Sequence, residues 1–134
     1  MSGLEKRIEK RIMLKVGGHP DIVCWPNDVG TARALQPPHP YIKYGKKGSG
    51  DIVGLIYPFG IHFDIEVKTG KGVQRQTQID YESATTKKGS IYIVGRDPDE
   101  ALYDLLKARV RFCEKWNLEH LINYDTMELD LWEI

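Results

Sequence analysis

Residues 50–68 read GDIVGLIYPFGIHFDIEVK. The stretches 51–57 (DIVGLIY) and 61–68 (IHFDIEVK) are rich in β-branched and aromatic residues and flank a short Pro-Phe-Gly connection, which predicts an antiparallel hairpin. In the second strand Ile61, Phe63, Ile65 and Val67 alternate with His62, Asp64, Glu66 and Lys68. Successive strand side chains point to opposite faces. One face is therefore apolar and enters the core, and the other presents Glu66 and Lys68 side by side. Hairpin pairing brings Asp51, at the start of the first strand, opposite the end of the second. Two carboxylates and an ammonium then meet at one sheet edge.

Outward from the hairpin, residues 4–16 place Leu4, Ile8, Ile12 and Val16 at helical spacing, with Gly17-Gly18 as a stop signal. Residues 21–25 (DIVCW) are β-prone. The stretch 26–40, with Pro26, Gly30, Pro37, Pro38 and Pro40, predicts a long loop, and 41–44 a short strand. Residues 74–88 read as a helix ending at Gly89, and 90–95 (SIYIVG) as a strand. Asp97-Pro98-Asp99-Glu100 has the form of a helix start, with Asp97 as N-cap, Pro98 at N1 and Glu100 completing a capping box. That helix carries Ala101, Leu102, Leu105, Leu106 and Val110, and the tail 114–134 adds a further helical segment. The order α-β-β-β-α-β-α predicts an α/β domain over residues 1–134, a mixed sheet flanked by helices. Its motif-bearing core covers about 4–106, with a C-terminal helical extension over 107–134.

Composition bounds the functional classes. The charged fraction of 28% and the hydrophobic fraction of 41% are those of a soluble globular domain. No apolar run approaches the roughly 20 residues that span a bilayer. Cys24 and Cys113 stand far apart, in no metal-binding spacing, which predicts a reducing, cytoplasmic location. The 19 basic and 19 acidic residues cancel, which argues against a binder that works by net charge alone. The charge is unevenly placed, however. Residues 43–48 (KYGKKG) and 68–75 (KTGKGVQR) are basic and acid-free, whereas 125–133 hold acids and no base.

Adjacent carboxylates are costly together unless a cation lies between them. Hard Mg²⁺ or Mn²⁺ takes such oxygen ligands, makes its water a nucleophile near neutral pH, and leaves Lys68 to orient that water or stabilise developing charge. An acid and a lysine on a strand are otherwise most often a solvated face. Other chemistries fit less well. The glycines of 45–50 precede a strand, not the Gly-Lys-Ser/Thr and helix of a nucleotide-binding loop, so no nucleotide cofactor is expected. His19, His39, His62 and His120 form no close pair, which argues against zinc. Tyr41 and Tyr44, beside lysines, suit either base stacking or a plain edge strand.

Asp51 followed by Glu66-Val67-Lys68 resembles the core of the PD-(D/E)xK nuclease superfamily. More narrowly, the chain resembles the virus-type replication-repair nuclease (VRR-NUC) family from about residue 4 to 106. Glu5 with Ile8 and Ile12 is similar to that family's first-helix glutamate, and the distance to Asn27 selects Glu5 over Glu9. Residues 25–30 (WPNDVG) resemble its aromatic-Arg-Asn-x-x-Gly segment, with Pro26 where the family carries arginine. Residues 48–52 (GSGDI) resemble its Gly-x-x-Asp segment, and Lys71-Gly72 with Gln78 its post-catalytic lysine-glycine and helix glutamine.

The resemblance implies a Mg²⁺- or Mn²⁺-dependent DNA endonuclease. Glu5, Asp51, Glu66 and the Val67 carbonyl would hold metal, Lys68 would assist the attacking water or transition state, and Gln78 would touch the site. Asn27, Lys46, Lys47, Ser49 and Lys71 are the candidate DNA contacts. It further implies a homodimeric four-way (Holliday) junction resolvase in phage or prophage replication and repair. In the sequence itself, the loop 26–40 and the aromatic tail (Trp116, Tyr124, Trp132) offer apolar material for a dimer interface, and the tail equally suits wrapping the domain's own core. The alternatives are a flap-cleaving or restriction-type nuclease with the same site, or a DNA-binding module without catalysis.

Overall fold

Helix α1 (Gly3–Gly17) starts at Ser2, whose hydroxyl accepts the Glu5 N–H at 3.2 Å, and stops at the expected glycine pair. In the computed structural model, which describes residues 2–122, it is followed by β1 (Ile22–Pro26), β2 (Gly30–Arg33), β3 (Tyr41–Tyr44), β4 (Ile52–Ile56) and β5 (Ile61–Val67). Then come α2 (Gln76–Thr86), β6 (Ile91–Gly95), α3 (Pro98–Lys115) and a 3-10 turn at Glu119–Leu121. The main sheet has four strands in the order β1-β4-β5-β6. β4 pairs antiparallel with both β1 and β5, and β6 lies parallel to β5 after the α2 crossover. The expected α/β class with a mixed sheet flanked by helices is what forms. No helix among the described residues is long and apolar enough to cross a membrane.

The core follows from the alternation in β5. Ile61, Phe63, Ile65 and Val67 pack with Ile12 and Val16 of α1 and with Ala101, Leu102, Leu105 and Leu106 of α3. Each such fully buried aliphatic or phenyl side chain stabilises the fold by about 1.5–3 kcal/mol. Asp97 caps α3 as expected, its carboxylate accepting the Glu100 N–H at 3.1 Å, with Pro98 in the first turn. Gly89 adopts φ 98°, the left-handed geometry expected after α2.

One expectation is corrected. The stretch 26–40 is not a loop throughout. Gly30–Arg33 pairs antiparallel with Tyr41–Tyr44 as a separate two-stranded ribbon, so five strands precede α2, not three. The helix that starts at 98 continues to Lys115 and so spans residue 107. Arg109 draws this second half inward: its fully buried guanidinium donates to Asp21 at 2.8 Å and to the Tyr57 carbonyl at 3.1 Å. On the polar face of β5, α2 lies across the strand and buries Asp64 and Glu66, while His62 stays partly exposed. Tyr124, Trp132 and the rest of the tail beyond 122 lie outside the described residues.

Candidate active site at the end of the β4–β5 hairpin

Glu66 and Val67 end β5, and Asp51 stands one residue before β4, opposite that end. The Asp51 carboxylate accepts the Val67 N–H at 2.7 Å, which fixes it against the strand carrying Glu66. Its own carbonyl accepts the Asn27 N–H at 2.8 Å. Lys68 approaches Glu66 Oε1 at 3.5 Å, and Gln78 Nε2 donates to the same oxygen at 2.7 Å. The three residues placed together by the spacing of residues 51–68 are thus brought together, and Gln78 joins them.

The backbone before Asp51 is held by a residue that sequence reasoning passed over. Asp64 is fully buried and accepts the Gly50 N–H at 2.8 Å and the Tyr81 hydroxyl at 3.0 Å. Gly50 runs so close to β5 that a Cβ there would stand 2.9 Å from the Ile65 carbonyl oxygen. Gly48, at φ 90°, lies tighter still against the Thr77 carbonyl of α2. These glycines serve close packing of the turn that aims Asp51. Asn27 braces the same turn, its amide nitrogen donating to Ser49 Oγ at 2.8 Å and to the Gly50 carbonyl at 2.9 Å.

These groups open onto a polar pocket of about 480 Å³, walled by α1, the 27–29 segment, the 47–51 turn, the end of β5 and the start of α2. Glu5 and Glu9 both line it, as do Asn27, Lys47, Ser49, Val67 and Arg75. Lys46 and Lys71 are exposed.

Burial dominates the electrostatics of the site, and like charge adds to it. Burial and the neighbouring Asp51 push the Glu66 carboxyl up to about 7, against the opposing pull of Lys68 and Gln78. Asp51 is also raised, first by burial and further by Glu5, with the Val67 N–H and Lys68 opposing. Glu9 is raised by burial and then by Asp51 and Asp28. Both helix glutamates therefore act on the same centre.

Among the described residues, no three His, Cys, Asp or Glu side chains converge as a ready-made metal cage. Mg²⁺ is commonly held by one or two carboxylates, with waters and substrate phosphate completing its shell. The desolvated Asp51–Glu66 pair fits that mode, and it does not fit a closed structural metal site. No protein-family model matches this chain, and neither a curated protein nor a solved structure matches it.

Proposed function

We propose that this chain is a divalent-metal-dependent DNA endonuclease that hydrolyses phosphodiester bonds on a PD-(D/E)xK-like sheet. The observation that carries this reading is the convergence of Asp51, Glu66 and Lys68 on one open polar pocket. Asp51 and Glu66, with a helix glutamate and the Val67 carbonyl as further oxygens, would hold Mg²⁺ or Mn²⁺, which when bound would supply Lewis-acid charge and activate water.

The chain's own groups do the rest. Lys68 is largely withdrawn from solvent, where its ammonium stabilises negative charge on the phosphate far more than in water. Gln78 fixes the Glu66 carboxylate, and the Val67 N–H fixes that of Asp51. Asn27 and Ser49 act first as braces of the Asp51 turn, with Lys46, Lys47 and Lys71 left to meet phosphates. The further proposal, supported by the motif resemblance, is a VRR-NUC-like homodimer that resolves four-way junctions in the cytoplasm of a phage-infected or lysogenic host.

The test is cleavage of plasmid, flap and four-way-junction DNA by purified protein with Mg²⁺, Mn²⁺ or excess chelator. Cutting that needs the metal supports the reading, and the preferred substrate separates resolvase from flap or restriction-type nuclease. Full cleavage in chelator overturns the mechanism. Tight DNA binding with no cutting under any metal identifies a binding module.

A further inference from the structure

We infer that the β2–β3 ribbon is a DNA-binding arm that enters the major groove of the duplex flanking the cut phosphate, an inference that rests on the nuclease reading above. The ribbon pairs with no strand of the main sheet and contributes no residue to the core. Every side chain of β3 is exposed. A two-stranded hairpin is at best marginally stable alone in water, so one held out from the core is a surface that lacks its partner.

Its composition says which partner. Residues 29–50 contain Arg33, Lys43, Lys46 and Lys47 and no Asp or Glu, in a chain whose net charge is zero. Register sorts these residues by face. Thr31 pairs with Lys43 and Arg33 with Tyr41, so these four share one polar, cationic face. Gly30, Ala32, Ile42 and Tyr44 share the other, where the Tyr44 phenol oxygen lies 2.7 Å from the position of a Cβ on Gly30. A polyanion complements the first face. Two strands about 5 Å apart form a ribbon that the major groove, about 12 Å wide, admits.

The arm is also aimed. Its two ends, Asp28-Val29 and residues 47–50, form part of the wall of the Asp51 pocket. Asn27 ties those ends together through Ser49 and Gly50. DNA seated on the cationic face therefore continues into the pocket.

The experiment compares the wild type with the Arg33→Ala/Lys43→Ala double variant, bound to duplex DNA in chelator so that no cleavage intervenes. Thermal melting checks that the variant, altered only on an exposed ribbon, remains folded. The slope of log affinity against log salt should fall by about 2 and low-salt affinity by about tenfold or more. Wild-type protein should also protect guanine N7, a major-groove atom, from methylation, and the variant should not. An unchanged slope, or unprotected N7 under wild-type protein, overturns the inference. So does a variant that loses a dimer in light scattering while keeping its slope, since the ribbon is then a contact between copies. Ribbon-dependent protection without cleavage in Mg²⁺ removes the nuclease reading alone; metal-dependent cleavage with ribbon-independent binding removes the ribbon alone.

Discussion

Gln78 Nε2 donates to Glu66 Oε1 at 2.7 Å, while the oxygen of the same amide accepts the Arg75 N–H at 2.8 Å. One side chain thus caps the start of α2 and orients an acid of the candidate site, so the helix terminus and the chemistry share a fixed geometry. Gln78→Ala should lower the cleavage rate about 10–100-fold, the usual effect of losing a partner that orients a ligand. It should also cost about 1 kcal/mol of stability through the lost cap. Single-turnover kinetics and a thermal melt check both. A variant that loses only stability would reduce Gln78 to a cap.

Asp51 and Glu66 are adjacent acids withdrawn from water, each raised in pKa by burial and by like charge. In chelator at neutral pH, Glu66→Gln should raise the melting temperature, because it removes one of two unfavourable charges while keeping shape. The same change should remove a metal ligand. Added Mg²⁺ should then stabilise the wild type, by preferential binding to the folded state, and the variant much less. Cleavage should fall on the order of a hundredfold or more in Asp51→Ala, Glu66→Ala and Lys68→Ala. Three folded variants with near-normal rates would place the site elsewhere. Glu5→Gln and Glu9→Gln, measured for Mg²⁺-induced stabilisation, separate the two helix glutamates.

Asp64 accepts from Gly50 N–H and the Tyr81 hydroxyl inside the protein, and burial together with Asp64 keeps that phenol protonated and donating. Asp64→Ala leaves the buried Gly50 N–H without an acceptor, at about 1–3 kcal/mol, and takes the acceptor from the part-buried Tyr81 hydroxyl as well. It also frees the turn before Asp51, so activity should fall with stability. Asp64→Asn keeps one acceptor and should lose less of both. Chemical denaturation of the two variants beside their rates checks the order; equal rates in all three proteins would detach Asp64 from the site.

The parts legible in the sequence are those set by near neighbours. The β5 alternation, the glycine stop of α1 and the Asp97-Pro98 start of α3 each read from a few adjacent residues and form as expected. What escaped depends on contacts far along the chain. Glu66 and Lys68 read as a pair, but nothing near Asp64 announces that Tyr81, 17 residues on, returns to cover it. The Asp21–Arg109 pair joins residues 88 apart, and so the inward turn of the second half of α3 was invisible. Strand β2 is short and sits in a proline-rich stretch, and it exists only by pairing with β3. The DNA contacts assigned to Asn27 and Ser49 came from motif position, which does not reveal that their side chains bond each other.

The last prediction concerns assembly. One site makes one cut per binding event, whereas resolving a four-way junction needs two symmetric cuts, which a two-fold dimer supplies through one isologous contact. Of the apolar material first assigned to that contact, the 26–40 stretch supplies β2 of the ribbon and part of the tail lies outside the described residues. The described surface offers another patch. α2 covers β5 and β6 on one sheet face but leaves Val23 of the edge strand β1, with its pairing partner Leu55 and nearby Trp25, exposed. A second copy of the chain meeting like patch to like patch would bury all of them twice over, and a stable contact of this kind covers more than about 1,000 Å². Light scattering should give twice the chain mass for the wild type and a single chain for Leu55→Glu, which sets like charges against each other across the two-fold axis. The variant should still nick DNA in the presence of metal but lose paired incision of junctions. A wild-type monomer that cuts flaps faster than junctions would overturn both the dimer and the resolvase proposal.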